Sequence, residues 1–152
     1  FMNQLPLFKF IRKGDGFTSL TGEKLNENQL LQAMDEVVEQ EQVDVEHLTM
    51  CCDEKKLLYK LFVEFAEGTD DQRKQAFNAA LDNRLKVINP EYESKRGSER
   101  LAAPILCQLP VGSYERVKDT LVARGMAREG QYKSVYLQRK PEVLAIYEEM
   151  AS

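Results

Sequence analysis

The sequence predicts an α+β fold: a small mixed or antiparallel sheet with helices packed on it, preceded by an N-terminal β-hairpin. Three observations predict it. Two strand-like runs, residues 43–52 and 57–65, are joined by the polar turn Asp53-Glu54-Lys55-Lys56, which is the signature of an antiparallel hairpin. Apolar residues at helical spacing precede the hairpin, from Leu30 to Val38, and follow it, from Phe77 to Ile88. The order strand, helix, hairpin, helix, strand, helix then fits helices covering one face of a small mixed sheet.

The chain opens on a strand-like stretch with Leu7, Lys9 and Ile11 on one face and Phe8, Phe10 and Arg12 on the other. It breaks at Gly14-Asp15-Gly16, where glycine permits a sharp turn or a swivel. Residues 17–20 predict a second short strand, and Thr21-Gly22 breaks it. Residues 1–25 therefore form a hinge hairpin, and residues 26–152 one compact unit. Asn26 and Gln29 have the spacing of a capping box, and Leu30, Leu31, Met34, Val37 and Val38 form the core face of the helix that follows.

In the central hairpin Leu57, Tyr59, Leu61, Val63 and Phe65 share one face, and Lys60 and Glu64 the other. Cys51 and Cys52 fall inside it and read as small buried hydrophobes. Gly68 ends the hairpin. Thr69 or Asp70 caps the next helix, whose buried stripe is Phe77, Leu81, Leu85 and Ile88. Asn89-Pro90 stops it, and Pro90 opens a short helix to about Arg96, with Tyr92 in the core. Residues 95–100 read as a solvated charged linker. Residues 104–109 are apolar enough for a central strand. Ser113 caps a helix with Tyr114, Val117, Leu121 and Val122 on its core face, ended by Gly125. Residues 126–140 show no clean period, and a helix over residues 141–150 closes the chain.

Composition narrows the function. The 152 residues are 43% hydrophobic and 30% charged, enough for a real core, and carry a net charge of −4. That balance argues against a nucleic-acid module built on Lys95, Arg96 and Arg100. No apolar run spans a membrane, and no secretory leader is expected from the first residues. Three cysteines without metal-like spacing and one histidine argue for reduced thiols in a cytoplasmic protein and against a metal site. No phosphate loop with its lysine, Ser-His-Asp set or carboxylate pair is present, and a Cys–His47 nucleophile has little support.

One pattern carries more. The spacing Arg12-x-x-Asp15-x-x-x-Ser19-x-x-Gly22-x-x-Leu25 resembles the hinge of acyl-adenylate-forming enzymes. Together with residues 1–10, the run Thr21-Gly22-Glu23-Lys24-Leu25-Asn26-Glu27 and the later Gly130-Gln131-Tyr132-Lys133, it resembles the auxin-responsive acyl-acid amido synthetases, in a bacterial-like form. The resemblance covers essentially the whole chain but only the C-terminal domain of such an enzyme.

It implies an ATP-dependent ligase that joins a carboxylic acid to an amine or amino acid through an acyl-AMP intermediate. ATP and Mg2+ would be held mainly by an N-terminal adenylation domain preceding Phe1, so this chain alone is expected to be inactive. The resemblance makes Lys133 the catalytic lysine, which would neutralise charge building on the phosphates. Arg12, Gln131 and Tyr132 would contact the nucleotide or fix the loop around it. Asp15, with Gly14 and Gly16, would be the hinge. Glu23 and Lys24 imply either an ion pair or a ligand contact. The alternative is a stand-alone, non-catalytic interaction domain of the same fold.

Overall fold

The computed structural model describes residues 17–126 and 136–151. A two-stranded antiparallel piece comes first, β1 (Phe17–Thr18) with β2 (Leu25–Asn26), followed by α1 (Glu27–Glu41). The long hairpin β3 (Val45–Asp53) and β4 (Leu58–Phe65) leads to α2 (Asp71–Ile88) and α3 (Pro90–Gly97). Then come β5 (Ile105–Gln108), α4 (Ser113–Ala123), β6 (Leu137–Gln138) and α5 (Pro141–Ala151). The four-stranded sheet runs β5-β4-β3-β6, with an antiparallel central pair and a parallel strand on each flank. It is an α+β fold with a small mixed sheet, as the sequence predicts.

Local signals account for most element ends. Asn26 accepts the Gln29 amide at 2.8 Å and Gln29 Oε1 accepts the Asn26 amide at 3.1 Å, closing the capping box. Asp70, rather than Thr69, caps α2 through the Arg73 amide at 2.7 Å. Asn89 both ends α2 and caps α3, accepting the Tyr92 amide at 3.0 Å with Pro90 at the first helical position.

Helices cover both faces of the sheet, not one. On the first face Leu30, Ala33 and Val37 of α1, Phe77, Leu81 and Leu85 of α2, and Tyr92 of α3 bury Leu48, Met50, Cys52, Tyr59, Leu61 and Val63. On the second, Val117 and Leu121 of α4 and Val143, Ile146 and Tyr147 of α5 bury Cys51 and Phe62. The second layer hides from sequence reading because its sheet face carries His47, Thr49, Lys60 and Glu64, which look solvated. Each is instead paired by α4 or α5 or by a neighbour on the sheet.

Four smaller expectations change. Leu57 precedes β4, at φ 53° and 41% exposed, because the turn needs a left-handed residue there. β5 is an edge strand among the described strands, so it needs only one apolar flank. Gly112, not Ser113, is the α4 cap residue; the Ser113 hydroxyl donates to the Pro110 carbonyl at 2.6 Å. Residues 95–100 are no solvated linker throughout, since Lys95 and Arg96 belong to α3. Of the hinge hairpin, residues 1–16 lie outside the described residues.

Candidate functional site

One end of the domain gathers the run of residues 21–27 and the described residues that flank the other marked segments, Phe17 and Tyr136. Its scaffold is the loop between β1 and β2, organised by Glu23. This carboxylate is fully buried and accepts the Leu20 and Thr21 amides, each at 2.8 Å, and the Thr21 hydroxyl at 2.9 Å. It also accepts a short hydrogen bond from the Tyr59 hydroxyl. Burial alone would raise the Glu23 carboxyl; the Tyr59 hydroxyl and the loop amides outweigh it and hold it below the ordinary value. Burial, then the hydrogen bond to Glu23, drives the Tyr59 phenol well above its usual value, so it stays a neutral donor. Glu23 is thus a structural clamp rather than half of a Glu23–Lys24 ion pair.

Asn89 locks this loop to the helices. Its side-chain amide donates to the Glu23 carbonyl at 3.3 Å, the Lys24 carbonyl at 3.2 Å and Gln29 Oε1 at 3.0 Å. Gly22, at φ 102°, adopts a conformation that side chains disfavour, and the Lys95 side chain lies over it. Beneath, Asp82 accepts the Tyr92 hydroxyl at 2.6 Å and two Arg96 bonds, at 3.0 and 2.6 Å. Burial opposes the Asp82 charge, but Arg96 and Tyr92 outweigh it and lower its pKa. Arg96 is therefore engaged with Asp82.

Tyr136 is the third fixed point. Its amide donates to Glu27 Oε2 at 2.8 Å, and its carbonyl accepts the Met50 amide at 2.8 Å. Leu137 then pairs with Met50 and leads into β6, and β1 packs against β6. Phe17 and Tyr136 therefore lie at the same end of the domain. The candidate residues Arg12, Gly14, Asp15, Gly16, Gln131, Tyr132 and Lys133 all lie outside the described residues. Their flanking anchors, Phe17 and Tyr136, do not.

The opposite face holds a second polar group. His47 Nε2 lies 3.1 Å from the Tyr147 hydroxyl and 3.0 Å from that of Thr49, which are 3.1 Å from each other. The ring also packs against Tyr114 at 4.2 Å. Burial lowers the His47 pKa from 6.5 to about 4, partly opposed by Glu64. Cys51 is fully buried and its thiol is pushed up, by burial first; burial also raises Cys52 to about 11. A neutral histidine and protonated thiols are inert, which supports the packing role expected for these cysteines. Glu64, which sequence reasoning placed on a plain polar face, caps α4 by accepting the Gly112 and Tyr114 amides at 3.0 and 3.1 Å.

Among the described residues no group of histidine, cysteine, aspartate and glutamate could hold a metal ion. No described helix is long and apolar enough to cross a membrane. An open cleft of about 410 Å3 between α1 and α2, lined by Gln40, Ala76, Ala80, Arg84 and Val87, includes none of the predicted site residues.

The model of the GH3 family C-terminal domain matches residues 28–142. The chain belongs to the GH3 family. The match runs from Asn28 in α1 to Glu142 in α5, so the GH3 domain spans both helical layers and the segment bearing Lys133. A solved GH3.15 acyl acid amido synthetase shares the fold at TM-score 0.73 and 16% identity, over 89% of this chain and 26% of that one. AtGH3.15 acyl acid amido synthetase in complex with 2,4-DB matches equally, at TM-score 0.73 and 16% identity over 90% and 26%. The GH3 chain described here thus spans about a quarter of those solved chains, and at this identity the likeness is one of fold. No curated protein sequence matches it.

Proposed function

We propose that this GH3 domain is the mobile C-terminal part of an ATP-dependent ligase. The ligase would condense a small carboxylic acid with an amine, typically an amino acid, through an acyl-AMP intermediate. ATP with Mg2+ would bind mainly to an N-terminal adenylation domain of the same polypeptide, in a cytoplasmic setting where the three free thiols stay reduced.

The observation that carries this reading is the meeting of β1 and β6 at one end of a GH3-family fold. Asp15 is two residues from Phe17, and Lys133 is three from Tyr136. Covalent geometry keeps their Cα atoms within about 7 and 11 Å of those anchors. In this reading hinge and lysine would share one end of the domain, which a rotation about Asp15 would turn toward or away from an adjoining site.

The chemistry follows from charge. When a carboxylate attacks the α-phosphate, negative charge grows on the phosphate oxygens and on departing pyrophosphate. The Lys133 ammonium, brought in by the domain, would stabilise that charge where water is excluded. Arg12 would add a guanidinium fork for phosphate or ribose oxygens. Gln131 and Tyr132 would seat the loop against the nucleotide. Rotation would then remove Lys133 and admit the amine.

Acid-dependent ATP–pyrophosphate exchange by the polypeptide that carries this domain tests the reading. Exchange is expected with the natural sequence, with a loss of about 100-fold or more in Lys133→Ala. Asp15→Pro should slow both half-reactions by stiffening the hinge. Unchanged exchange in Lys133→Ala, with both half-reactions unchanged in Asp15→Pro, would overturn it.

A further inference from the structure

We infer that the turn between β3 and β4, together with the chain entering β5, forms a docking face for the preceding domain of the GH3 polypeptide, centred on Leu57. The inference rests on the reading of this chain as the C-terminal part of a longer GH3 protein, and on no role of Lys133.

Leu57 is costly where it stands. Its φ of 53° strains a branched side chain, and 41% of the residue faces solvent. Glycine or asparagine would supply the same left-handed turn without that strain. The course of the turn is set elsewhere, by Asp53 Oδ1, which accepts the Lys55 and Lys56 amides, each at 3.1 Å. Leu57 belongs to neither apolar core cluster. An apolar side chain held toward solvent at the expense of backbone strain points to a contact outside the domain.

Its surroundings extend the face. The Leu57 carbonyl accepts the Ala102 amide at 3.0 Å, so the exposed Ala102 and Ala103 lie beside it. Ile105, 42% exposed, is in register with Lys60, three positions along the chain from Leu57. β5 is an edge strand of the described sheet, and an open edge bearing apolar side chains is a surface that proteins cover. Lys55, Lys56 and Arg100 stand exposed around the patch. Lys95, whose carbonyl accepts the Leu101 amide at 3.1 Å, extends its side chain over Gly22. Only Glu54 and Glu99 oppose these cations locally, so the rim is basic on a chain whose net charge is −4.

Charge and position select the occupant. An isologous contact with a second copy of this chain would set one basic rim against another. A surface of apolar residues ringed by carboxylates fits instead. The fold matches only 26% of the solved GH3 amido synthetase chains, so most of such a polypeptide lies outside this domain. Through Lys95 and the Gly22 loop the patch borders β1, the first described strand. A domain preceding this one in the polypeptide would join it beside that strand, next to the patch.

Hydrogen exchange over residues 54–58 and 102–106 tests the inference. It is followed in this chain and in the polypeptide that includes the preceding domain, without nucleotide and with ATP and Mg2+. Exchange should be about tenfold or more slower in the polypeptide in at least one of these conditions. Leu57→Asn combined with Ile105→Thr should return it to within about twofold of the rate in this chain. Leu57→Asn alone should leave the urea midpoint of this chain unchanged or raise it, because asparagine tolerates the backbone conformation.

Equal exchange in chain and polypeptide under both conditions would overturn the inference, as would protection that survives the double variant. A urea midpoint that falls in Leu57→Asn would assign the leucine to the domain's own stability and overturn it too. If this chain alone self-associates in sedimentation and the double variant abolishes the association, the occupant is a second copy and the inference fails. Should the double variant not fold, Leu57→Asn decides alone, with a loss of protection of about threefold or more expected. Protection together with unchanged pyrophosphate exchange in Lys133→Ala would leave the docking face standing and the ligase chemistry overturned. Exchange lost in Lys133→Ala without protection would do the reverse.

Discussion

His47 makes the stability of this domain depend on pH in a calculable way. It is buried beneath α4 and α5, touching Thr49, Tyr114 and Tyr147, with Glu64 the opposing charge. Its folded pKa is lowered to about 4 from the 6.5 of a free imidazole. The unfolded chain therefore binds the proton more readily between those values, and stability falls as pH drops from about 6.5 toward 4. Linkage gives about 2.5 kcal/mol lost between pH 7.5 and 4.5, with a limit of about 3.4 kcal/mol well below pH 4. Urea unfolding of the natural sequence and of His47→Gln, at both pH values, isolates this share because carboxylate titration is common to the two. The natural sequence should lose about 2.5 kcal/mol more than the variant. His47 is the sole histidine, so its imidazole NMR signals report the titration without assignment ambiguity. Parallel pH profiles for the two proteins, or a midpoint near 6.5, would refute the reasoning.

Other outcomes follow from buried pairs. Asp82→Ala removes the acceptor of the Tyr92 hydroxyl and leaves the Arg96 guanidinium only a long bond to the Leu101 carbonyl, and should cost about 3 kcal/mol in urea unfolding. The double change Asp82→Leu with Arg96→Met should recover most of that. Glu64→Gln weakens the cap on α4 and should cost about 1 kcal/mol. Because Glu64 is the group that raises the His47 pKa, the same variant should move the imidazole midpoint lower, which NMR reads directly.

Much of the fold is legible in the sequence because its signals are local. Asn26 and Gln29 announce the start of α1 three residues apart, and Asn89-Pro90 marks the boundary between α2 and α3. The central hairpin declares itself through its polar turn. What is hidden depends on partners distant in sequence. Lys60 looks solvated until Glu148 of α5, 88 residues on, pairs with it. Arg96 reads as part of a basic linker until Asp82 takes its guanidinium. Glu64 gives no sign that it will cap a helix beginning 49 residues later. β5 is legible as a strand but its edge place and parallel pairing are not, and β6 is not legible at all, since short strands with long crossovers leave no turn motif. The candidate site divides along the same line. Its motif residues, Lys133 and Asp15, stand out only by resemblance. Glu27, whose carboxylate accepts the Tyr136 amide, sits inside the quoted run Thr21-Gly22-Glu23-Lys24-Leu25-Asn26-Glu27 but looks like an ordinary first-turn acid.

Under the proposed function this domain would deliver Lys133 to the adenylating step and withdraw it for the next. The most direct measurement compares the two half-reactions in Lys133→Ala, within the polypeptide that includes the adenylation domain. Acid-dependent ATP–pyrophosphate exchange should collapse, while conversion of supplied acyl-adenylate and amine to amide should proceed at nearly the natural rate. Exchange that survives the substitution, or amide formation that falls with it in equal measure, would contradict the account.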